Sequence, residues 1–158
     1  MKKVSVLFVC MGNICRSPSA QGVFEKNVDD NGLKNQFNID SAGTHSYHVG
    51  GKPDSRSVQA AMARNIDITQ QRARKISQSD FEAFDYIVVM DNNNHMNVRM
   101  ICPKNHQHKI YKMLEFVPSS KYTEVPDPYY GGDNGFELVL DLLEIASIGL
   151  LEHIQSNH

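Results

Sequence analysis

Cys10 and Arg16 stand six positions apart at the end of an apolar run, Val4-Ser5-Val6-Leu7-Phe8-Val9-Cys10-Met11-Gly12-Asn13-Ile14-Cys15-Arg16-Ser17-Pro18. A thiolate is a strong nucleophile, and a guanidinium grips a phosphate through two parallel N–H donors. The run before Cys10 is β-rich. The Ser17-Pro18 pair marks a helix start, because Ser is a good N-cap and Pro is tolerated in the first turn. A loop between a strand end and a helix start points backbone N–H groups at an anion. Gly12 and Asn13 are residue types that accept the left-handed backbone angles such a loop needs. The same field lowers the pKa of a cysteine placed within it, so Cys10 is expected as a thiolate near neutral pH. Nucleophile, anion cradle and clamp within seven residues read as a cysteine-dependent phosphatase. The bare C-x5-R spacing arises by chance in many chains, and a cysteine at a strand end is usually packing. The strand before, the loop residues within and Ser17 directly after Arg16 favour chemistry.

Cleaving a phosphorus–oxygen bond to a phenol requires a proton donor for the leaving group. Val125-Pro126-Asp127-Pro128-Tyr129-Tyr130-Gly131-Gly132 offers one. Two prolines stiffen the chain around Asp127, two glycines supply a hinge, and two tyrosines supply aromatic walls. Asp-Pro alone is a turn dipeptide, and only the company of Cys10 and Arg16 raises Asp127 to a general acid. Ser17 is placed to donate a hydrogen bond to the Cys10 thiolate, and Asn13 to fix the loop backbone. Cys15 has two readings of equal weight: a small packed residue, or a thiol that traps oxidised Cys10 as a disulfide. Cys102 has no such neighbour and is read as structural. His45-x2-His48 and His106-x-His108 lack the spacing and company of a metal site, so no metal is expected. Neither a G-x4-G-K-[ST] nor a G-x-G-x-x-G nucleotide loop is present.

These residues need a scaffold, and the pattern supplies one. Val4–Val9 is a short apolar run suited to a strand covered on both faces. Residues 17 to about 30 carry Ala20, Val23, Phe24 and Val28 at helical spacing. Residues 37–43 form a second strand, and a helix runs from Ser55 to about Asn65. A short helical turn opens at residues 79–81, capped by Ser79 or Asp80. Residues 86–90 are a central strand, followed by Asp91 and a helix through Cys102; another strand begins near Lys109. An amphipathic helix from Phe136 to Ile154 closes the chain. Strands alternating with helices imply a parallel sheet with right-handed crossovers, whose ligands bind at the carboxyl ends of the strands. Cys10 and Asp91 both fall at that edge.

A length of 158 residues fits one domain, 1–158. A net charge of −2 gives no footprint for nucleic acid. Three cysteines without a disulfide spacing favour a reducing, cytoplasmic setting. The apolar run after Lys2-Lys3 is too short for a signal h-region, and nothing approaches a transmembrane span.

Taken together, the Cys10–Pro18 loop, Asp40-Ser41-Ala42-Gly43-Thr44, Met90-Asp91 and Asp127-Pro128-Tyr129-Tyr130-Gly131 resemble the low-molecular-weight protein tyrosine phosphatases, in order and from about Val4 to the last helix. The resemblance implies an α/β fold: a four-stranded parallel sheet flanked by helices on both faces, with a phosphate-binding loop after the first strand. It implies hydrolysis of phosphotyrosine without metal or organic cofactor. Cys10 would be the nucleophile, Arg16 the clamp and Asp127 the general acid and then base. Asn13, Ser17 and Ser41 would support the loop, whose Met11, Gly12, Ile14 and Cys15 would surround the phosphate. Tyr47, Tyr129 and Tyr130 would line the mouth, and Cys15 would be the redox partner of Cys10. The implied partners are tyrosine-phosphorylated proteins, with inorganic phosphate or another oxyanion in the loop. A monomer is expected, with a weak homodimer as the alternative, and no membrane or nucleic-acid partner. Two positions depart from the family: Gln71, where many members carry a histidine in the supporting network, and Gln21, where Glu is frequent. A phosphoarginine phosphatase shares the loop but tends to carry Thr at the position of Ile14. An arsenate reductase of this fold would need two further paired cysteines. A phosphate-binding module would need neither Cys10 nor Asp127.

Overall fold

Along the first strand, β1 (Val4–Cys10), Val6, Phe8 and Cys10 alternate with Leu7 and Val9, and all five side chains are buried. A strand whose odd and even residues are both apolar must be covered on both faces. The computed structural model, which describes residues 2–128 and 134–158, meets that demand. Val6, Phe8, Val88 and Met90 pack under helices α1 (Arg16–Asp30), α2 (Ser55–Met62) and α5 (Gly135–Asn157). Leu7, Val9, Ile87 and Val89 face Phe81 and Val98 of α3 (Gln78–Ala83) and α4 (Asn92–Ile101). Edge-to-face pairs, Phe8 with Phe24 and Phe24 with Phe37, join the sheet to α1 with ring centroids 5.7 and 5.5 Å apart.

The remaining strands are β2 (Phe37–Gly43), β3 (Tyr86–Val89) and β4 (Ile110–Lys112). The order is β2-β1-β3-β4, all parallel, with Cys10 opposite Gly43 and Val9 opposite Val89. After β1 the chain adds β2 on one side and then crosses to add β3 on the other. The carboxyl end of β1 is therefore the point where the winding reverses, the place where open α/β sheets bind ligands. No helix among the described residues is long and apolar enough to cross a membrane.

The element boundaries differ from the sequence reading in instructive places. Helix α1 starts at Arg16 with Cys15 in the cap position, one residue ahead of Ser17, whose hydroxyl lies 3.0 Å from the Cys10 sulfur. Helix α2 stops at Met62, ahead of Asn65, whose φ of 63° is left-handed. Helix α3 is capped by Ser77, and Asp80 is its partner in a capping box. The last helix runs three residues beyond Ile154, to Asn157.

Candidate active site

Residues 10–16 join β1 to α1, and the chain after β2 holds them in place. Thr44 N–H donates to Cys10 O at 2.9 Å, His45 N–H to Met11 O at 3.0 Å, and Asp54 N–H to Ile14 O at 2.8 Å. The approach is tight enough to dictate a residue: a Cβ on Gly43 would lie 2.7 Å from Met11 O, so only glycine fits. Inside the loop Asn13 takes a φ of 59°, the left-handed angle anticipated for it. Its side chain is buried and fully occupied. Asn13 Oδ1 accepts from Arg74 N–H at 3.0 Å, while Nδ2 donates to Ser17 Oγ at 2.8 Å and Ser41 Oγ at 2.9 Å.

Cys10 Sγ lies 3.0 Å from Ser17 Oγ and 3.4 Å from Ser17 N. The sulfur therefore sits at the first turn of α1, where unpaired N–H groups and the helix dipole favour negative charge. Arg16 is only 4% exposed, and its Nη1 donates to Asp91 Oδ2 at 2.6 Å and to Val125 O at 3.0 Å. Burial pulls its pKa down, but Cys10 and the Asp91 carboxylate outweigh that and leave it raised, so Arg16 is a permanent cation. Asp91 is itself fixed as the N-cap of α4, accepting from Asn94 N at 2.7 Å. Cys15 is different. Burial, only partly offset by a hydrogen bond with Ser57, pushes its thiol up to about 12, so near neutrality it stays protonated.

An open cleft of 310 Å³ is lined by Cys10, Met11, Gly12, Ile14, Cys15, Arg16, His48, Asp54 and Asp127. It thus brings together thiol, clamp and carboxylate from distant parts of the chain. A larger groove of 510 Å³ along the outer side of α1 has no cysteine or arginine in its lining. No group of three or more His, Cys, Asp or Glu among the described residues is arranged to hold a metal ion. Tyr47 is not in the cleft wall. It is 72% exposed, its ring stacked on His45 with centroids 5.1 Å apart. Tyr129 and Tyr130 lie outside the described residues.

Comparison with known proteins gives this arrangement a lineage. The family model for low molecular weight phosphotyrosine protein phosphatase matches residues 5–158. The chain belongs to that family. It is a family of hydrolases, and this chain is 44% identical to the Schizosaccharomyces pombe low molecular weight phosphotyrosine protein phosphatase over 85% of its own length and 86% of that protein's. It is 42% identical to the human one, with 85% of each chain covered. Among solved structures, a protein tyrosine phosphatase from Entamoeba histolytica, with Hepes in its active site, aligns with a TM-score of 0.95 and 42% identity over 98% of this chain and 99% of that one. A Drosophila arginine phosphatase aligns with a TM-score of 0.89 and 30% identity over the full length of both.

Against the family pattern, the two departures fall in different surroundings. Gln71 joins the polar cluster behind the loop: its Nε2 donates to Pro18 O at 3.0 Å, and its Oε1 faces Ser41 Oγ at 3.5 Å. Gln21 bonds with Glu25 one turn along α1 and is not part of the cleft lining. Reading the residues alone missed three roles. Asp91 was placed at the correct sheet edge without a function; its position between a strand and a helix was the available signal for a cap that also holds Arg16. His48 and Asp54 line the cleft, and nothing in their spacing pointed there.

Proposed function

We propose that this phosphatase hydrolyses phosphotyrosine in proteins through a cysteinyl-phosphate intermediate. The observation that carries the reading is the Cys10 sulfur, held 3.0 Å from the Ser17 hydroxyl in a cleft that also contains Arg16 and Asp127. The thiolate attacks phosphorus in line with the leaving phenol. Loop N–H groups and the free face of Arg16 hold the three equatorial oxygens, donors preset for the charge of the transition state. Asp127 gives its proton to the phenolate as the bond from phosphorus to oxygen breaks. In the second step Asp127, now a carboxylate, takes a proton from water as that water attacks the phosphocysteine. Phosphate leaves, the electron pair of the sulfur–phosphorus bond returns to Cys10, and the Ser17 hydroxyl steadies the thiolate. The protein is read as a single-domain cytoplasmic monomer without a cofactor.

A phosphoarginine substrate is the second reading, favoured by the likeness to the arginine phosphatase. Ile14 in the cleft lining supports the aryl substrate, since an apolar β-branched wall suits a phenyl ring. The deciding experiment is hydrolysis of phosphotyrosine and phosphoarginine, side by side, by wild type and Cys10→Ser with chelator present. Cys10-dependent release from phosphotyrosine with little from phosphoarginine is expected. The opposite preference keeps the mechanism and overturns the substrate, and turnover retained by Cys10→Ser overturns the mechanism.

A further inference from the structure

Helix α4 and the 3-10 turn after it, Lys104–Lys109, carry a charge that the rest of the chain does not. Residues 92–114 hold no Asp or Glu but four basic residues, Arg99, Lys104, Lys109 and Lys112. All 18 acidic residues lie elsewhere, with the other 12 basic ones, so a stretch of +4 sits in a chain whose remainder is −6. The same helix exposes apolar side chains: Met96, Met100 and Ile101 are 56%, 77% and 41% exposed. Met96 and Met100 stand four residues apart and are therefore neighbours on one helix face. A shallow groove of 410 Å³ is lined by His95, Met96, Arg99 and Met100 of α4 and by Gln107 of the turn. Its walls are tied together. Gln107 Nε2 donates to the carbonyls of Arg99 and Cys102 at 3.0 and 2.9 Å, and Gln107 Oε1 accepts from Arg99 Nε at 3.1 Å.

We propose that this groove docks an acidic segment, bearing one large apolar side chain, of the phosphorylated proteins on which the enzyme acts; the proposal rests on the phosphotyrosine reading. The apolar side chain lies against Met96 and Met100, and the carboxylates beside it face Arg99 and Lys104. Methionine suits the first task, being unbranched, polarisable and able to adapt to apolar partners of different shape. Both cations are exposed, and among the described residues no carboxylate lies within ion-pair distance of Arg99, Lys104, Lys109 or Lys112. The groove also begins near the cleft. Asp91, the cap of α4, holds Arg16, and His95 follows one helical turn later, about 6 Å along the axis. An extended segment of about five residues covers the whole length of α4.

Carboxylates approach from neighbouring elements without entering the groove lining. Glu115, just after β4, acts on His95; Glu124 accepts Asn92 N–H at 2.7 Å; Asp80 of α3 is held by Arg74. The positive field registers on His95: burial lowers its pKa, and Arg99 and Lys112 lower it further against the opposite pull of Glu115. A recess between a helix and a turn suits a peptide. A bilayer is met by a continuous apolar helix face, whereas α4 has ten residues and buries its other side through Asn94 and Val98. A second copy of the chain would offer Ile145 and Ile148 beside the acidic face of α5. There, however, Glu137, Asp141 and Glu144 are already bound to Arg64.

The test compares a phosphotyrosine peptide extended by a tract of Glu and Asp around one Leu with the same peptide lacking the tract. Both kcat and KM are measured, alongside fluorescence anisotropy of the unphosphorylated tract. Wild type should show a KM about three- to tenfold lower for the extended peptide at equal kcat. That advantage should vanish at high salt, when the acids of the tract are replaced by amides, or when its Leu is replaced by Ser. Met100→Asp and Arg99→Ser should each remove most of the advantage and weaken binding of the tract. Both should turn over the unextended peptide and a small aryl phosphate as wild type does, which also reports an intact fold. Equal KM values for the two peptides in wild type, or an advantage that survives both substitutions, would overturn the proposal. Binding to phosphatidylserine vesicles without binding of the tract would overturn it in favour of a membrane. Self-association abolished by Met100→Asp, again without binding of the tract, would do so in favour of a second copy. If wild type hydrolyses no phosphotyrosine peptide, the proposed function fails, and anisotropy with the tract still reads the groove by itself.

Discussion

Behind the phosphate loop the molecule is closed; in front of it the molecule is open. Asn13, Arg16, Ser17 and Ser41 are all at most 4% exposed, and each has hydrogen-bond partners at 2.6–3.0 Å. The rim formed by the loop after β2 is the reverse: Tyr47 and Val49 are 72% and 59% exposed, and His48 stands in the cleft wall. A buried polar group without a partner is costly, so the back wall has one workable arrangement. The rim carries no such constraint. Under the proposed function, attack on phosphorus is set by the interior, while the choice among phosphorylated partners falls to side chains that can change without disturbing the fold.

That contrast can be broken in order of effect. Asp127→Asn keeps the shape of the acid but not its proton, and kcat on phosphotyrosine should fall about 10² to 10⁴-fold with KM little changed. A smaller loss with an aryl phosphate whose leaving group is more acidic would complete the pattern, and equal losses on both would count against Asp127 as the acid. Ser17→Ala removes the last donor of the back wall. A hydrogen bond to a charged group is worth about 1.5–3 kcal/mol, so kcat should fall about 10 to 100-fold while oxyanion inhibition survives. Substitution on the rim should be milder. Tyr47→Ala is expected to raise KM for phosphopeptides about two- to fivefold and to leave a small aryl phosphate untouched, because exposed contacts contribute little each; an equal loss on both substrates would place Tyr47 in the chemistry.

The last effect is one of pH, and it leaves activity near neutrality untouched. The Cys15 thiol is raised from 9.0 to about 12, chiefly by burial. Below pH 9 folded and unfolded chains both keep that proton, and nothing changes. Between pH 9 and about 12 the unfolded chain releases it while the folded chain retains it, so stability falls as pH rises. Denaturant midpoints of wild type and Cys15→Ala, compared across that interval, should diverge from their neutral-pH difference as pH rises. Parallel curves would mean that Cys15 is more solvated than its burial implies.

Much of this was legible in the chain because it is local. A strand, a loop with Gly12 and Asn13, and a helix fall within contiguous residues, and the two-faced apolar alternation of β1 announced a sheet covered on both sides. The Ser17 hydroxyl lies 3.0 Å from the Cys10 sulfur as expected, yet reading Ser17 as the helix cap failed, since the helix begins one residue earlier, at Arg16, with Cys15 in the cap position. The parts that stayed hidden are those made by distant segments meeting. Nothing in the spacing of Asp91 and Val125 reveals that both grip Arg16, and a loop rich in Gly, His and Tyr does not disclose which of its side chains turns into the cleft. Gln71 joins the polar cluster through the carbonyl of Pro18, 53 positions away.

The grip on Arg16 has a temporal side. Its two partners lie 75 and 109 positions further along the chain, so a nascent polypeptide makes nucleophile and clamp long before it makes the groups that hold the clamp. A guanidinium buried without its carboxylate is strongly unfavourable. The cradle therefore has no stable form until β3 has docked and the chain has returned through Val125, by which stage only Asp127 and the last helix remain to be added. A chain that ends before Val125 therefore holds its cysteine and arginine but not both of the groups that fix the arginine in place.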